Sequence, residues 1–125
     1  MHFLIKLVCF GGGLTLTLML FRGPKVGFGG FWEMQIRALV VDDSRSMRRI
    51  VMKGLRHANL ADFEFTEATD GADALTKFDP EVFDLCFVDW NMPNMTGIEF
   101  VRKIREDDVN KGVKLVMVTS NKTME

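Results

Sequence analysis

Residues 83–93 read Phe83-Asp-Leu-Cys-Phe-Val-Asp-Trp-Asn-Met-Pro93, and this stretch decides the fold. Its apolar run, residues 85–88, has the length of a buried strand and leads directly to Asp89. The residues that follow, 91–93, are typical of a turn. The stretch therefore predicts a buried strand that presents a carboxylate at its C-terminal end.

A second apolar run, residues 38–41, ends in the same way on Asp42 and Asp43. If both strands belong to one parallel sheet, their C-terminal ends open into the same crevice, so these carboxylates and Asp89 are neighbours. Like charges this close oppose folding unless a cation compensates them, and an all-oxygen site suits Mg²⁺. The sequence therefore predicts a magnesium site at Asp42, Asp43 and Asp89. The simpler alternative is that each Asp only caps a helix or a turn.

The composition indicates one small domain. The chain has 125 residues and a net charge of -1, which argues against bulk electrostatic attraction to nucleic acid. Cys9 and Cys86 lack the spacing of metal ligands, and Cys86 lies inside a predicted strand, where a small buried hydrophobe is expected. We expect a reducing compartment, the cytoplasm.

Residues 1–33 form an apolar, Gly-rich N-terminal extension that differs from the rest of the chain. Its apolar stretch, residues 7–21, is short for a membrane span and is interrupted by three glycines. Three interpretations are open: a signal peptide, a membrane anchor, or a segment upstream of the true start, which Met34 would then provide.

The remaining residues, 34–125, alternate strands with helices, a pattern that predicts an α/β fold with a right-handed, doubly wound parallel sheet. Ser44 and Thr96 are the expected N-caps of the first and third helices. The predicted strands are residues 36–41, 63–68, 85–89 and 114–119, and the predicted helices are residues 45–58, 72–78 and 97–106.

The first predicted helix is amphipathic. We expect one side to pack on the sheet and the other, basic side to be solvated. The apolar side comprises Met47, Ile50, Val51, Gly54, Leu55 and Ala58, and the basic side comprises Arg45, Arg48, Arg49, Lys53 and Arg56.

Five stretches together resemble the receiver domain of two-component response regulators, and among these the single-domain chemotaxis regulators. They are Leu39-Val-Val-Asp-Asp43, Ser46-Met-Arg-Arg-Ile-Val51, Glu67-Ala-Thr-Asp-Gly-Ala-Asp-Ala-Leu75, Val88-Asp-Trp-Asn-Met-Pro-Asn-Met-Thr-Gly97 and Leu115-Val-Met-Val-Thr119. The resemblance implies the flavodoxin-like fold, with the four predicted strands in the order 2-1-3-4.

The resemblance also implies a role for individual residues. Asp89 would be the phosphoacceptor, and Asp43, Asp89 and the backbone carbonyl of Asn91 would hold Mg²⁺, with Asp42 acting through a bound water. Thr119 would be the switch hydroxyl. A sensor histidine kinase would supply the phosphoryl group, and the flagellar motor switch protein is a candidate output partner.

The sequence departs from the family pattern at two places. Receivers carry a lysine at the end of a fifth strand, and this chain ends before that position, so we expect a receiver cut after its fourth strand. The strand at residues 114–119 would then be an exposed, aggregation-prone edge. Thr96 stands where the family often has Asp, a neutral change because both residues cap helices.

Two other functions remain open. A Mg²⁺-dependent phosphatase that forms an aspartyl phosphate also uses an Asp at a strand end, although that class carries Asp-x-Asp at its first strand, where this chain has adjacent Asp42 and Asp43. The chain could also be a truncated receiver fragment without function.

Overall fold

The computed structural model of the protein describes residues 4–8 and 35–119. Its elements, in chain order, are β1 (Leu4–Val8), β2 (Gln35–Val41), α1 (Arg45–Ala58), β3 (Asp62–Ala68), α2 (Gly71–Lys77), β4 (Leu85–Asp89), α3 (Gly97–Arg105), a 3₁₀ helix (Asp108–Gly112) and β5 (Lys114–Thr119).

The strands form one parallel sheet in the order β1-β5-β4-β2-β3. Strands β2, β3, β4 and β5 are the first, second, third and fourth predicted strands. Across the sheet they lie in the order β3-β2-β4-β5, which is the predicted order 2-1-3-4. The predicted fold class is therefore confirmed. Every helix bound agrees with the sequence prediction to within one residue, because Ser44, Asp70 and Thr96 accept hydrogen bonds as N-caps.

Alternation along the strands places two apolar clusters on opposite faces of the sheet. On one face, Ala38 and Val40 of β2 pack with Leu55 of α1. On the other face, Leu39 of β2 packs with Phe100 of α3. Because the central strands are covered on both faces, each contains a continuous apolar run, and β4 is buried at each of its positions. Cys86 is among them, with 0% exposure, as predicted for a small hydrophobe.

The prediction that residues 114–119 form an exposed sheet edge is wrong for this structure. Strand β1 pairs with β5 in parallel, from Leu4 beside Leu115 to Val8 beside Thr119. The prediction failed because this pairing joins residues more than a hundred positions apart, which local sequence patterns do not report. The three interpretations of residues 1–33 stay predictions, and apart from β1 this segment lies outside the described residues. Within the described part of the chain, no helix is long and apolar enough to cross a bilayer.

The prediction of which residues of α1 face the sheet was also wrong in part. Ile50 is 59% exposed and Ala58 is exposed, whereas Arg48 and Met52 are buried. The buried residues Arg48, Val51, Met52 and Leu55 follow the spacing i, i+3, i+4, i+7, so the face on the sheet is rotated relative to the predicted one. Arg48 is therefore not part of the solvated basic side.

Candidate metal centre

The predicted acidic cluster is assembled by two neighbouring strands. Val41 of β2 lies beside Val88 of β4, so the next residues, Asp42 and Asp89, leave the sheet at the same level. Asp43 follows directly. The three carboxylates each offer an oxygen, and these oxygens all lie within 4.8 Å of one another. Among the described residues, this arrangement is a group of oxygen donors suited to a hard divalent cation.

The backbone around Asp42 is held on several sides. Its amide donates to the carbonyl of Ala68 on β3 (3.2 Å), and its carbonyl accepts from Nη1 of Arg48 on α1 (2.7 Å). Its carboxylate Oδ1 accepts from the amide of Ser44 (2.8 Å). Asp42 is 6% exposed, so it forms the buried part of the cluster together with Asp89, whereas Asp43 is exposed.

Burial is the main cause of a perturbed acidity at Asp42. It raises the pKa of this carboxyl to about 6, and the carboxylates of Asp89 and Asp43 raise it further, while the hydrogen bond from Ser44 acts in the opposite direction. A nearby cation would stabilise the ionised form of this acid, because the cation offsets both the lost hydration and the repulsion between like charges.

Asp89 is the last residue of β4 and is 8% exposed. Past it, the amide of Trp90 donates to the carbonyl of Val118 (3.1 Å), and the amide of Gly97 donates to the carbonyl of Trp90 (3.2 Å). These bonds fix the backbone of Trp90, the residue that follows Asp89, to both β5 and α3. The Trp90 side chain is 43% exposed, so an aromatic ring lies at the surface directly after the buried Asp89 in the chain.

The remaining predicted residues lie on the same rim of the sheet. Asn91 is exposed in the loop after β4, and its proposed role as a carbonyl ligand stays a prediction. Thr119 is the last residue of β5, one position beyond Val118, which pairs with Asp89. The side chain of Thr119 lies outside the described residues, so its role as a switch hydroxyl also stays a prediction. Thr96 and Glu99 form a capping box at the start of α3, so Thr96 is the predicted N-cap. That its replacement of Asp is neutral stays a prediction.

Two residues next to the cluster were missed by sequence reasoning. Arg48 was assigned to the solvated side of α1, although its spacing from Val51, Met52 and Leu55 already places it on the buried face. Gly97 was assigned only as a helix start, but a Cβ there would collide with the carbonyl oxygen of Asp89 and lie 3.0 Å from Cε of Met117. The sequence offers no signal for that approach, because it depends on how α3 meets β4.

The chain resembles known proteins over the same part that forms the site. The sequence profile of the response regulator receiver domain matches residues 38–125. The chemotaxis protein CheY of Pseudomonas aeruginosa is 42% identical over 88 residues, which are 68% of this chain and 67% of that protein. Chemotaxis protein CheY-3 of Vibrio cholerae is 38% identical over 90 residues, covering 72% of this chain and 68% of the relative.

A solved structure has a similar fold. The crystal structure of Vibrio cholerae chemotaxis protein CheY4 superposes with a TM-score of 0.58 at 30% sequence identity. The superposition covers 73% of this chain and 89% of that protein. Over the part that superposes, this chain therefore has the same fold as that protein.

Proposed function

This chain belongs to the response regulator receiver domain family, a family of signalling domains, and we propose that it accepts a phosphoryl group on Asp89 in the presence of Mg²⁺. The observation that carries the proposal is the cluster of Asp42, Asp43 and Asp89, whose carboxylate oxygens lie within 4.8 Å of one another at the ends of two adjacent strands. A carboxylate in such a cluster can act as a nucleophile while its neighbours hold a cation.

The donor set fits Mg²⁺. The cluster contains only oxygen ligands, and the exposed Asp43 leaves one side open to water, as Mg²⁺ requires. In this proposal Asp43, Asp89 and the Asn91 carbonyl would hold the ion directly, and Asp42 would hold it through a water. When bound, the ion neutralises negative charge on the transferring phosphoryl oxygens.

The chain's own residues supply the nucleophile and its position. A carboxylate oxygen of Asp89 attacks phosphorus, an acyl phosphate bond forms, and the bond between phosphorus and the donor breaks with its electron pair leaving on the donor. The backbone bonds of Trp90 to Val118 and Gly97 keep Asp89 in place during this step. The Thr119 hydroxyl is proposed to bind the new phosphoryl group.

The relatives suggest the signalling context. Two of them are chemotaxis proteins by name, and we propose that this chain also serves chemotaxis in the cytoplasm. A sensor histidine kinase is the proposed phosphodonor, and the flagellar motor switch protein is the proposed output partner. The exposed ring of Trp90 beside Asp89 is a surface that a partner could contact after phosphorylation.

Intact mass spectrometry tests the nucleophile. Incubation with acetyl phosphate and Mg²⁺ should add one phosphoryl group to the wild-type chain and none to Asp89→Asn, because an amide is a far poorer nucleophile than a carboxylate. Asp62→Asn is the matched control, since Asp62 is an exposed carboxylate at the start of β3. A phosphoryl group retained by Asp89→Asn would contradict the assignment.

Thermal unfolding tests the metal. Mg²⁺ binds only the folded chain, so titration should raise the melting temperature progressively, by mass action. Asp43→Ala should abolish this increase without disturbing the core, because Asp43 is exposed. A melting temperature that does not respond to Mg²⁺ in the wild-type chain would count against the site.

A further inference from the structure

We propose that Arg48 and Glu67 form a positioning pair that sets the geometry of Asp42 and Asp43 for Mg²⁺. The inference rests on the proposed function and extends it to two residues that contact neither the metal nor the phosphoryl group. Arg48 is 7% exposed and lies in the first turn of α1. Its guanidinium is one of three buried polar or charged side chains among the described residues, and the other two are Asp42 and Asp89 of the cluster.

The guanidinium makes two short contacts in different directions. Nη1 donates to the carbonyl oxygen of Asp42 (2.7 Å), and Nε donates to carboxylate Oε2 of Glu67 on β3 (2.6 Å). The planar guanidinium presents its donors in a fixed fork, so the position of Glu67 determines where Nη1 points. The pair thereby connects α1, β3 and the end of β2 through one side chain.

The carbonyl of Asp42 belongs to the peptide that joins the two acids. Because a peptide is planar, its carbonyl direction fixes the amide of Asp43 and restricts the directions in which both side chains leave the backbone. On its N-terminal side, Asp42 is held by the hydrogen bond that its amide donates to the carbonyl of Ala68. Loss of the Arg48 contact would remove the hydrogen bond that orients the Asp42 carbonyl, and with it the peptide between the two acids.

Glu67 is itself anchored. It lies beside Val40 of β2 in the sheet, and its carbonyl accepts a hydrogen bond from Nζ of Lys77 on α2 (2.8 Å). These contacts hold the backbone of Glu67, and its side chain, which is 44% exposed, is aligned by the contact with Nε of Arg48 (2.6 Å). The buried face of α1 otherwise carries Val51, Met52 and Leu55, where an apolar residue would also pack.

Arg48 acts on the backbone and not on the acid group. The pKa of the Asp42 carboxyl is governed by burial, by the Ser44 amide and by Asp89 and Asp43. We therefore expect the pair to change metal affinity through ligand direction. Residues that orient ligands from outside the coordination sphere typically alter metal affinity by about 10- to 100-fold when they are removed.

The test compares Arg48→Met with Arg49→Met. Both variants remove one positive charge from α1, but Arg49 is exposed. The dissociation constant for Mg²⁺ is measured from Trp90 emission, at a temperature where circular dichroism shows each variant to be folded. Arg48→Met should bind Mg²⁺ at least about tenfold more weakly, whereas Arg49→Met should bind like the wild-type chain. Equal affinities for the two folded variants would overturn the inference.

Two milder variants decide the question if Arg48→Met does not fold. Arg48→Lys keeps the charge but cannot hold both acceptors in the same geometry, and Glu67→Gln keeps an acceptor while removing the charge that aligns the guanidinium. Both should weaken Mg²⁺ binding by several-fold, with the larger loss in Arg48→Lys. Wild-type affinity in both would overturn the inference.

The same measurements separate this inference from the proposed function. A wild-type chain that binds Mg²⁺ and takes a phosphoryl group from acetyl phosphate, with unchanged Mg²⁺ affinity in the Arg48 and Glu67 variants, would refute the positioning pair alone. A wild-type chain that does neither would refute the proposed function, and the inference with it. A purely structural role of Arg48 would lower the melting temperature without Mg²⁺ and leave the dissociation constant of the folded variants unchanged.

Discussion

At Asp42, in the acidic cluster, the raised pKa links the stability of the chain to pH. Its pKa is about 6 in the folded chain and 3.8 ordinarily, so the folded chain binds this proton more tightly. Between those two values the folded state carries more protons than the unfolded state, and the free energy of unfolding therefore falls as the pH rises. At 1.36 kcal/mol per pKa unit, the contribution is at most about 3 kcal/mol.

Urea unfolding without Mg²⁺ at pH 4 to 7 measures this linkage. Asp42→Asn keeps an oxygen acceptor for the Ser44 amide but cannot ionise. We expect the stability of the wild-type chain, relative to Asp42→Asn, to fall between pH 4 and pH 6 and to level off above. Added Mg²⁺ should reverse the loss above pH 6, because the metal favours the ionised carboxylate. A pH-independent difference between the two proteins would contradict the raised pKa.

Gly97 is a second residue with a specific requirement. A Cβ there would collide with the Asp89 carbonyl oxygen, a backbone atom that cannot move cheaply. Gly97→Ala should lower the free energy of unfolding by about 1–3 kcal/mol and weaken Mg²⁺ binding. Gly112→Ala is the matched control, since nothing lies within 4 Å of its added Cβ. Equal urea midpoints and Mg²⁺ affinities for the two variants would show that α3 can shift without disturbing Asp89.

At the scale of elements, the rotated face of α1 gives a comparison of two aliphatic residues. Leu55 is 1% exposed and packs in the cluster with Phe87, whereas Ile50 is 59% exposed. Leu55→Ala should cost about 2–5 kcal/mol of stability, and Ile50→Ala should change it by less than about 0.5 kcal/mol. Chemical denaturation of both variants checks this. A large loss of stability in Ile50→Ala would instead support the face predicted from sequence, in which Ile50 packs on the sheet.

The elements could be predicted from sequence where the signals were local. The strand bounds followed from the apolar runs that end at Val41 and Val88, and the helix bounds followed from the caps Ser44 and Thr96. Each of these signals depends on neighbouring residues only. The acidic cluster was predicted because parallel strands place their ends together. The buried Arg48 was missed because a charge is expected in water unless a partner is known, and its partners, Asp42 and Glu67, lie on other elements.

At the scale of the whole molecule, strands β3 and β5 avoid pairing with another chain in different ways. Strand β3 forms one edge and carries Asp62, Glu64 and Glu67, charges that discourage pairing with another chain. Strand β5 has the apolar run Val116, Met117 and Val118 and is paired on its outer side with β1. The backbone hydrogen-bonding groups of β5 are therefore used within the chain, and the N-terminal segment is expected to contribute to stability.

Deletion of residues 1–33 tests this contribution, because it would open the β5 edge and leave an apolar strand able to pair with a second molecule. We expect a lower urea midpoint and concentration-dependent association in analytical ultracentrifugation. Single proline substitutions at Lys6 and Leu7 give a control within the full-length chain. Successive amides of a strand point to opposite sides, so only one of the two faces β5, and proline at that position removes a sheet hydrogen bond. One variant should therefore behave like the deletion and the other like the wild-type chain. A monomeric protein of unchanged stability after deletion would show that β5 does not need β1.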